Sequence, residues 1–184
     1  MFIALPVDDL QDVRPLKEVF ENLKKYESLI KIVTPDNYHI TLKFFGSVDP
    51  ALADSISKAF ASIDKLKKVQ YAIEGLGAFP SAAEPSVVWA GLKCDEEPLG
   101  KIFKAVEQFA SSFGFPPEKR KFVPHLTLGR IKREKKASHE FKSYLIKEKN
   151  SLFTSSVFRE LVLFESVLKN TGAEYKKIEV IKLV

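Results

Sequence analysis

The stretch YHITLKFFG, residues 38–46, returns later in the chain as PHLTLGRIK, residues 124–132. Both contain the frame His-x-Thr-Leu, which begins once at His39 and once at His125. The chain of 184 residues holds only three histidines, and two of them start this frame. Chance is a poor explanation for such a match, so the two stretches are interpreted as related copies of one functional motif.

Each motif reads as a half-buried β-strand, because polar and apolar residues alternate and neighbouring side chains of a strand point to opposite faces. Histidine and threonine therefore share one face. The prediction places His39, Thr41 and Lys43 on one face of the first strand, with Ile40, Leu42 and Phe44 in the core. In the second strand it places His125 beside Thr127, with Leu126 and Leu128 buried.

The spacing of 86 residues between the motifs extends beyond them. Shifting the chain by 86 aligns the strand-like runs FIALPV and VVWAGL, and aligns two apolar helical stripes that follow them. Helix candidates follow each motif, at residues 51–67 and 137–149, and each is succeeded by an extended segment. We therefore predict an internal duplication of approximately residues 1–80 and 87–170, with GLGAFPSAAEPS as the joint and KKIEVIKLV as an added C-terminal strand.

Repeated strand–helix–strand units of this kind favour an α+β fold. The prediction is one bilobal domain over residues 1–184, with two pseudo-symmetric lobes of mainly antiparallel sheet and outer helices around a central cleft. Such lobes would bring the two motifs to the same cleft.

Two histidines and two hydroxyls are suited to chemistry at phosphorus. The ordinary pKa of histidine, about 6.5, lets one imidazole accept a proton while another donates one near neutral pH. Threonine hydroxyls can donate hydrogen bonds to non-bridging phosphate oxygens as charge develops there. In-line displacement needs a base and an acid on opposite sides of phosphorus, and it requires no metal.

Composition narrows the class of protein. No apolar run approaches the length of about 18 to 20 residues that a spanning helix needs, so no membrane partner is expected. The apolar start has no basic leader, and the single Cys94 excludes an internal disulfide and a cysteine-built metal site. The expectation is a cytoplasmic monomer without a cofactor or metal; nucleotide-binding glycine motifs are absent from the sequence.

Basic residues concentrate around the second motif. Residues 118–136 contain eight basic side chains against two acidic ones, whereas the rest of the chain holds 21 basic and 22 acidic residues. Two interpretations stay open: a solvated lysine-rich surface, or a binding surface for a polyanion such as RNA.

The segments YHITLKFFG, VVWAGL, FVPHLTLGRI and LFESVLKNTGAEYKKI together resemble the two-histidine (2H) phosphoesterase superfamily, and within it the RNA 2′,3′-cyclic phosphodiesterases, also called 2′-5′ RNA ligases. The resemblance implies hydrolysis of 2′,3′-cyclic phosphate ends of RNA to a 2′-phosphomonoester, with tRNA as one candidate RNA. It also implies that His39 is the proton donor, that His125 is the acceptor, and that Thr41 and Thr127 bind the phosphate. One departure is Ile32, where relatives often carry a tryptophan that could stack on a base.

Lys43 and Arg130 are further candidates for substrate binding. Strict alternation aims Arg130 away from Thr127, whereas a β-bulge at Gly129 would turn it toward the motif face, and the sequence leaves both open. The remaining aromatic and imidazole side chains are interpreted as structural: Tyr38, Phe45 and Trp89 as packing residues, and His139 as a surface residue of a charged helix.

Two alternatives to the hydrolase remain at this point. One is nucleotide-independent 2′-5′ ligation of tRNA halves on the same fold. The other is a non-catalytic RNA-binding module that uses the basic segment, although binding alone gives no reason for two imidazoles in matching register.

Overall fold

Nine strands and four helices build the protein, as seen in a computed structural model that describes residues 1–7, 14–169 and 172–184. The helices are α1 (Arg14–Lys24), α2 (Pro50–Ala59), α3 (Glu96–Ser112) and α4 (His139–Lys147). The strands are β1 (Phe2–Pro6), β2 (Ile30–Ile32), β3 (His39–Phe44), β4 (Val69–Pro80), β5 (Pro85–Cys94), β6 (His125–Ile131), β7 (Leu152–Phe158), β8 (Glu160–Lys169) and β9 (Gly172–Lys182).

The strands form two antiparallel sheets. The first has the order β3-β1-β8-β9, and the second has the order β2-β6-β5-β4-β7. Helices α1 and α4 contact strands of the five-stranded sheet, while α3 contacts β3 of the four-stranded sheet. The predicted α+β architecture of two mainly antiparallel sheets with outer helices is confirmed.

One continuous apolar core fills the space between the helices and one face of each sheet. Alternate residues of β1 and β3, such as Leu5 and Ile40, point into it from the first sheet, and Ala90 and Leu126 do so from the second. The opposite face of the four-stranded sheet carries a separate small cluster of Phe2, Ala4, Val162 and Phe164. His39 and His125 both lie on faces turned away from the main core.

The sheets do not coincide with the predicted halves of the chain. Strand β4 lies within residues 1–80, yet it pairs with β5 and β7 in the sheet that contains the second motif. The stretch at residues 75–86, predicted to join the two halves, forms the end of β4, the turn and the first residues of β5. Local patterns identify strands but not their partners, so they do not show which sheet each half of the chain contributes to. The duplication itself stays a prediction.

The helix expected at residues 51–67 is shorter than its pattern. Helix α2 ends at Ala59 and continues as one 3-10 turn, Phe60–Ser62. Ile63 and Leu66 lie beyond that turn and are nevertheless buried. Apolar residues in an irregular segment therefore extended the helical pattern past the true end of the helix.

Both motif strands contain an irregularity at the same place. Across β1 and β3, Ala4 pairs with Thr41 but Ile3 pairs with Lys43, which leaves Leu42 as an extra residue. Across β5 and β6, Trp89 pairs with Thr127 but Val88 pairs with Gly129, which leaves Leu128 as the extra residue. A bulge of this kind reverses the alternation of side chains beyond it.

Candidate active site

The two motif histidines are held in the same way. His39 lies at the start of β3, and its Nδ1 is 2.7 Å from the carbonyl oxygen of Asn37. His125 lies at the start of β6, and its Nδ1 is 2.7 Å from the carbonyl oxygen of Val123. Because a carbonyl oxygen only accepts, Nδ1 carries the proton in both rings. Each Nε2 is therefore left to accept a proton, or to donate one when the ring is charged.

The threonines of both motifs point to the same side as their histidines. In the first sheet, His39 pairs with Pro6 and Thr41 with Ala4, so both side chains lie on one face. In the second sheet, His125 pairs with Gly91 and Thr127 with Trp89. Within the described residues neither threonine hydroxyl has a hydrogen-bond partner, so both are available to a ligand.

The two motif strands, although they belong to different sheets, contact each other. The imidazoles are near enough for the charge of His125 to act on His39. Burial is the largest influence and lowers the pKa of His39, the hydrogen bond to Asn37 O opposes this, and the charge of His125 lowers the pKa further. The fold thus gathers two imidazoles and two hydroxyls at one cleft, which we define as the space between these faces of β3 and β6.

Aromatic rings surround the first imidazole. The ring centroids of Phe2 and Tyr175 lie 4.9 Å and 5.2 Å from that of His39, and Phe164 is 6.2 Å away. These apolar neighbours remove water from His39 and account for the lowered pKa. Sequence reasoning missed all three rings. Only Phe2 lay in a strand that the sequence predicted, where it is two positions from Ala4, the partner of Thr41, and so shares its face.

The second imidazole also packs against aromatic side chains. Phe79 meets His125 edge to face at 5.0 Å, and Trp89 lies 6.3 Å away. The indole ring of Trp89 lies over Gly77, where any Cβ would overlap it. Trp89 was predicted to be a packing residue; it does pack, and it also forms part of the wall beside His125.

Lys43 does not lie on the face predicted for it. The bulge at Leu42 turns its side chain to the core, where only 3% of it is exposed. Its Nζ donates to the carbonyl oxygen of Pro116 at 2.7 Å and forms an ion pair with Glu107 at 2.9 Å. The prediction that Lys43 shares the face of His39 and binds substrate is therefore wrong.

Phe44 changes face for the same reason. It was expected in the core, but it is 60% exposed and pairs with Phe2 on the side of His39 and Thr41. The two rings pack at 5.6 Å. Alternation alone gives the wrong face for every residue of β3 beyond the bulge.

The equivalent bulge in β6 turns Arg130 toward the motif face. Because Leu128 is the extra residue, Arg130 pairs with Val87, on the face that Trp89 and Thr127 share. Its side chain is exposed, and it makes no hydrogen bond or ion pair to the described residues. Of the two orientations that the sequence left open, the structure has the one on the side of Thr127.

The remaining residues behave as interpreted. Tyr38 and Phe45 are 4% and 5% exposed and belong to the core. His139 is exposed at the start of α4, with Ser143 as its neighbour at 3.5 Å. Within residues 1–7, 14–169 and 172–184, no three His, Cys, Asp or Glu side chains cluster as metal ligands would, and no helix is long and apolar enough to span a bilayer.

Comparison with known proteins connects this geometry to a family. The family model described as LigT like Phosphoesterase matches residues 9–89 and 92–175. This chain belongs to that family. It is 36% identical over 154 residues to the RNA 2′,3′-cyclic phosphodiesterase of Aeropyrum pernix, an alignment that covers 83% of this chain and 86% of that protein. It is 31% identical over 182 residues to the protein of the same name from Archaeoglobus fulgidus, covering 98% of both.

Solved structures share the fold at lower sequence identity. The protein TT0787 of Thermus thermophilus superposes with a TM-score of 0.77 at 22% identity, covering 99% of this chain and 96% of that one. Escherichia coli LigT complexed with 3′-AMP gives a TM-score of 0.67 at 20% identity, with the same coverage. The resemblance inferred from the paired motifs is thereby confirmed at the level of family and fold.

Proposed function

We propose that the protein hydrolyses 2′,3′-cyclic phosphate ends of RNA to a 2′-phosphomonoester, without a metal, by paired histidine acid–base catalysis. The observation that carries the proposal is the common state of the two imidazoles, which lie on strands that contact each other. Each Nδ1 donates to a carbonyl two residues earlier, and neither Nε2 has a hydrogen-bond partner within residues 1–7, 14–169 and 172–184. The names of the relatives from A. pernix and A. fulgidus support this substrate class.

In the proposed reaction, Nε2 of His125 takes a proton from water as the water oxygen attacks phosphorus. The bond between phosphorus and the 3′-oxygen breaks, and Nε2 of His39 gives its proton to that oxygen. The products are a 3′-hydroxyl and a 2′-phosphomonoester, and the proton lost by water matches the proton gained by the ribose. General acid–base steps of this kind contribute about 10² to 10⁴ in rate each.

Thr41 and Thr127 would donate to the non-bridging oxygens, where negative charge grows in the transition state. Arg130, exposed on the face of Thr127, would offset the charge of the phosphate or of the RNA backbone. The family resemblance supplies the division of roles between the histidines.

The lowered pKa of His39 puts a condition on its role as the acid. Without a ligand, burial and the charge of His125 favour a neutral His39, which cannot donate from Nε2. A bound phosphate brings a negative charge to the cleft, and an adjacent anion favours the protonated imidazole. Substrate binding would therefore itself charge the acid.

The test uses an oligonucleotide that ends in a 2′,3′-cyclic phosphate, incubated with excess EDTA. We expect a 2′-phosphate end, identified against 2′- and 3′-phosphate standards. His39→Ala and His125→Ala should each lower kcat by at least about 10²-fold, whereas His139→Ala, which changes the third and exposed histidine, should not. A reaction that EDTA abolishes, or full activity in either motif variant, would contradict the proposal.

Adding a second strand with a 5′-hydroxyl end tests the ligase alternative, since that hydroxyl would take the place of water. A 2′-5′ joined product as the main outcome would replace hydrolysis as the function. Binding of the oligonucleotide without any turnover would instead support the RNA-binding module.

A further inference from the structure

Two exposed cations, Lys31 and Arg130, extend the motif face beyond the cleft. In the sheet, Lys31 of β2 pairs directly with Arg130 of β6, so their side chains lie on the same face as Thr127. Both are exposed. Neither makes an ion pair or a side-chain hydrogen bond to the residues that the structure describes. Exposed cations that have no acidic partner remain available to an external anion.

The turn that follows β6 continues this positive surface and is tied firmly to the rest of the fold. Lys132 donates through its main chain to Leu29 O at 2.9 Å and through Nζ to Glu27 O at 2.6 Å. The turn closes with a bond from Lys135 N to Lys132 O at 3.1 Å. Its remaining basic side chains are exposed, namely Arg133, Lys135 and Lys136.

The length of this surface indicates the size of its ligand. Lys132 lies five positions after Thr127, which at about 3.3 Å per strand residue is at most about 17 Å. A ligand held by both motif threonines and by the turn must therefore extend well beyond its reactive phosphate. A polyanion with regularly spaced charges, attached to that phosphate, meets this requirement.

We propose that Lys31, Arg130, Arg133, Lys135 and Lys136, here called the basic track, bind backbone phosphates of the RNA strand that leads to the cyclic phosphate. The proposal rests on the proposed function and makes it more specific: the preferred substrate is the end of an RNA several nucleotides long, and a cyclic mononucleotide is a poor one. Phosphate contacts carry no base information, so binding at the track is independent of sequence.

The chain has a second basic group, Lys119, Arg120 and Lys121, on the other side of His125. Its segment is attached to the first sheet, because Pro116 O accepts from Lys43 and Phe115 packs on Phe45 at 4.8 Å. No strand register places these three side chains on the motif face. Pairing does so for Lys31 and Arg130, and the turn that carries Arg133, Lys135 and Lys136 follows β6 directly and is hydrogen-bonded beside β2 through Lys132. The basic track is therefore the surface to which we assign the RNA strand.

The experiment measures binding separately from turnover. A fluorescent octanucleotide that ends in a 2′-phosphate, the expected product, is titrated with protein at several salt concentrations. For single strands the slope of log K against log salt is about −0.7 per phosphate neutralised. Replacing three track lysines, Lys31→Gln, Lys135→Gln and Lys136→Gln together, should make this slope less steep by about 2. Arg130 is left intact, because its place beside Thr127 would mix track binding with binding of the reactive phosphate.

Two matched variants provide the controls. Lys58→Gln, Lys67→Gln and Lys104→Gln together remove the same charge from positions in α2, after α2 and in α3, and the slope should not change. Lys119→Gln, Arg120→Gln and Lys121→Gln together test the competing group. If the salt dependence of binding becomes less steep in this second variant and stays unchanged in the track variant, the proposal is overturned.

Turnover then separates this inference from the function on which it rests. The track variant should raise KM for a cyclic-phosphate octanucleotide at least about tenfold and leave KM for a 2′,3′-cyclic mononucleotide within about twofold, since only the longer substrate reaches the track. The same rise in KM for both substrates, or no change in KM for either, would overturn the proposal of a basic track. If the wild-type protein hydrolyses neither substrate, the proposed function fails, while the salt slopes still decide whether the track binds RNA.

Discussion

Replacing Lys43 by methionine should destabilise the protein far more than replacing a surface lysine would. Lys43 is 3% exposed and its partner Glu107 is 13% exposed, so both charges lie away from water. Removal of the ammonium leaves the largely buried carboxylate of Glu107 without its counter-ion and the carbonyl oxygen of Pro116 without its donor. Breaking one partner of a buried pair costs about 3 to 5 kcal/mol, a large part of the roughly 5 to 15 kcal/mol that stabilises a typical domain.

The contact also connects the two halves of the cleft. Lys43 belongs to the strand of His39, while Glu107 accepts from the main-chain N–H of Glu118 at 2.9 Å, in the segment that leads to His125. Loss of the ion pair should therefore let the two imidazoles move relative to each other. Displacements of about 1 Å can cost about 10²-fold in rate, so we expect kcat to fall more than KM rises.

Urea denaturation of Lys43→Met, Glu107→Gln and the double variant gives the free energy of unfolding for each. The double variant should be more stable than the sum of the single losses predicts, because it leaves no unpaired buried charge. The matched control is Lys58→Met, whose ion pair with Asp54 is shorter, at 2.6 Å, but exposed; its loss should cost less than about 1 kcal/mol. The reasoning would be refuted if the Lys43 and Glu107 variants each lost less than about 1 kcal/mol of unfolding free energy and the two losses simply added in the double variant.

Three further predictions follow from contacts in the two sheets. An NMR titration should place the pKa of ligand-free His39 below the ordinary histidine value of about 6.5, and a bound 2′-phosphate should raise it. Without the ligand, the folded protein binds fewer protons at this site than the unfolded chain does. Its stability should therefore decline as pH falls below about 6.5, and His39→Gln should remove that contribution. Gly129→Ala should cost about 1 to 3 kcal/mol in thermal or urea unfolding, because its Cβ would lie 2.6 Å from a side chain of β2, whereas Gly100→Ala, with open space around it in α3, should be neutral or stabilising. Thr127→Val should lower kcat about 10²-fold in the cyclic-phosphate assay, while Thr154→Val on β7 should not; equal effects would remove the threonine from the site.

The sequence was sufficient for the motif strands up to the bulge and insufficient beyond it. Alternation placed His39 and Thr41 together, because a period of two is a local property of an extended chain. It failed at Lys43 and Phe44, because one extra residue reverses the faces and leaves no trace in the hydrophobic pattern. The bulge in β6 did have a local sign in Gly129, which packs so closely on β2 that a side chain would collide with it.

Long-range pairing was the other limit. The pattern identified an extended segment at β4 but gave no information on which sheet it would join, and the chain in fact crosses to the second sheet there. The aromatic rings around His39 come from β1, β8 and β9, elements that only tertiary pairing brings together. Sequence reasoning therefore found the reacting groups and missed the surroundings that adjust the pKa of one of them.

The paired bulges have a consequence for the direction in which a substrate can enter. Two walls that each offer an imidazole and a hydroxyl would grip a phosphate equally well after a half-turn, so chemistry alone leaves its orientation ambiguous. The residue three places after each threonine distinguishes the two walls. One wall presents the aromatic ring of Phe44, and the other presents the charged guanidinium group of Arg130. A nucleotide has one aromatic base and one anionic backbone, so the proposed substrate would match both walls in only one orientation.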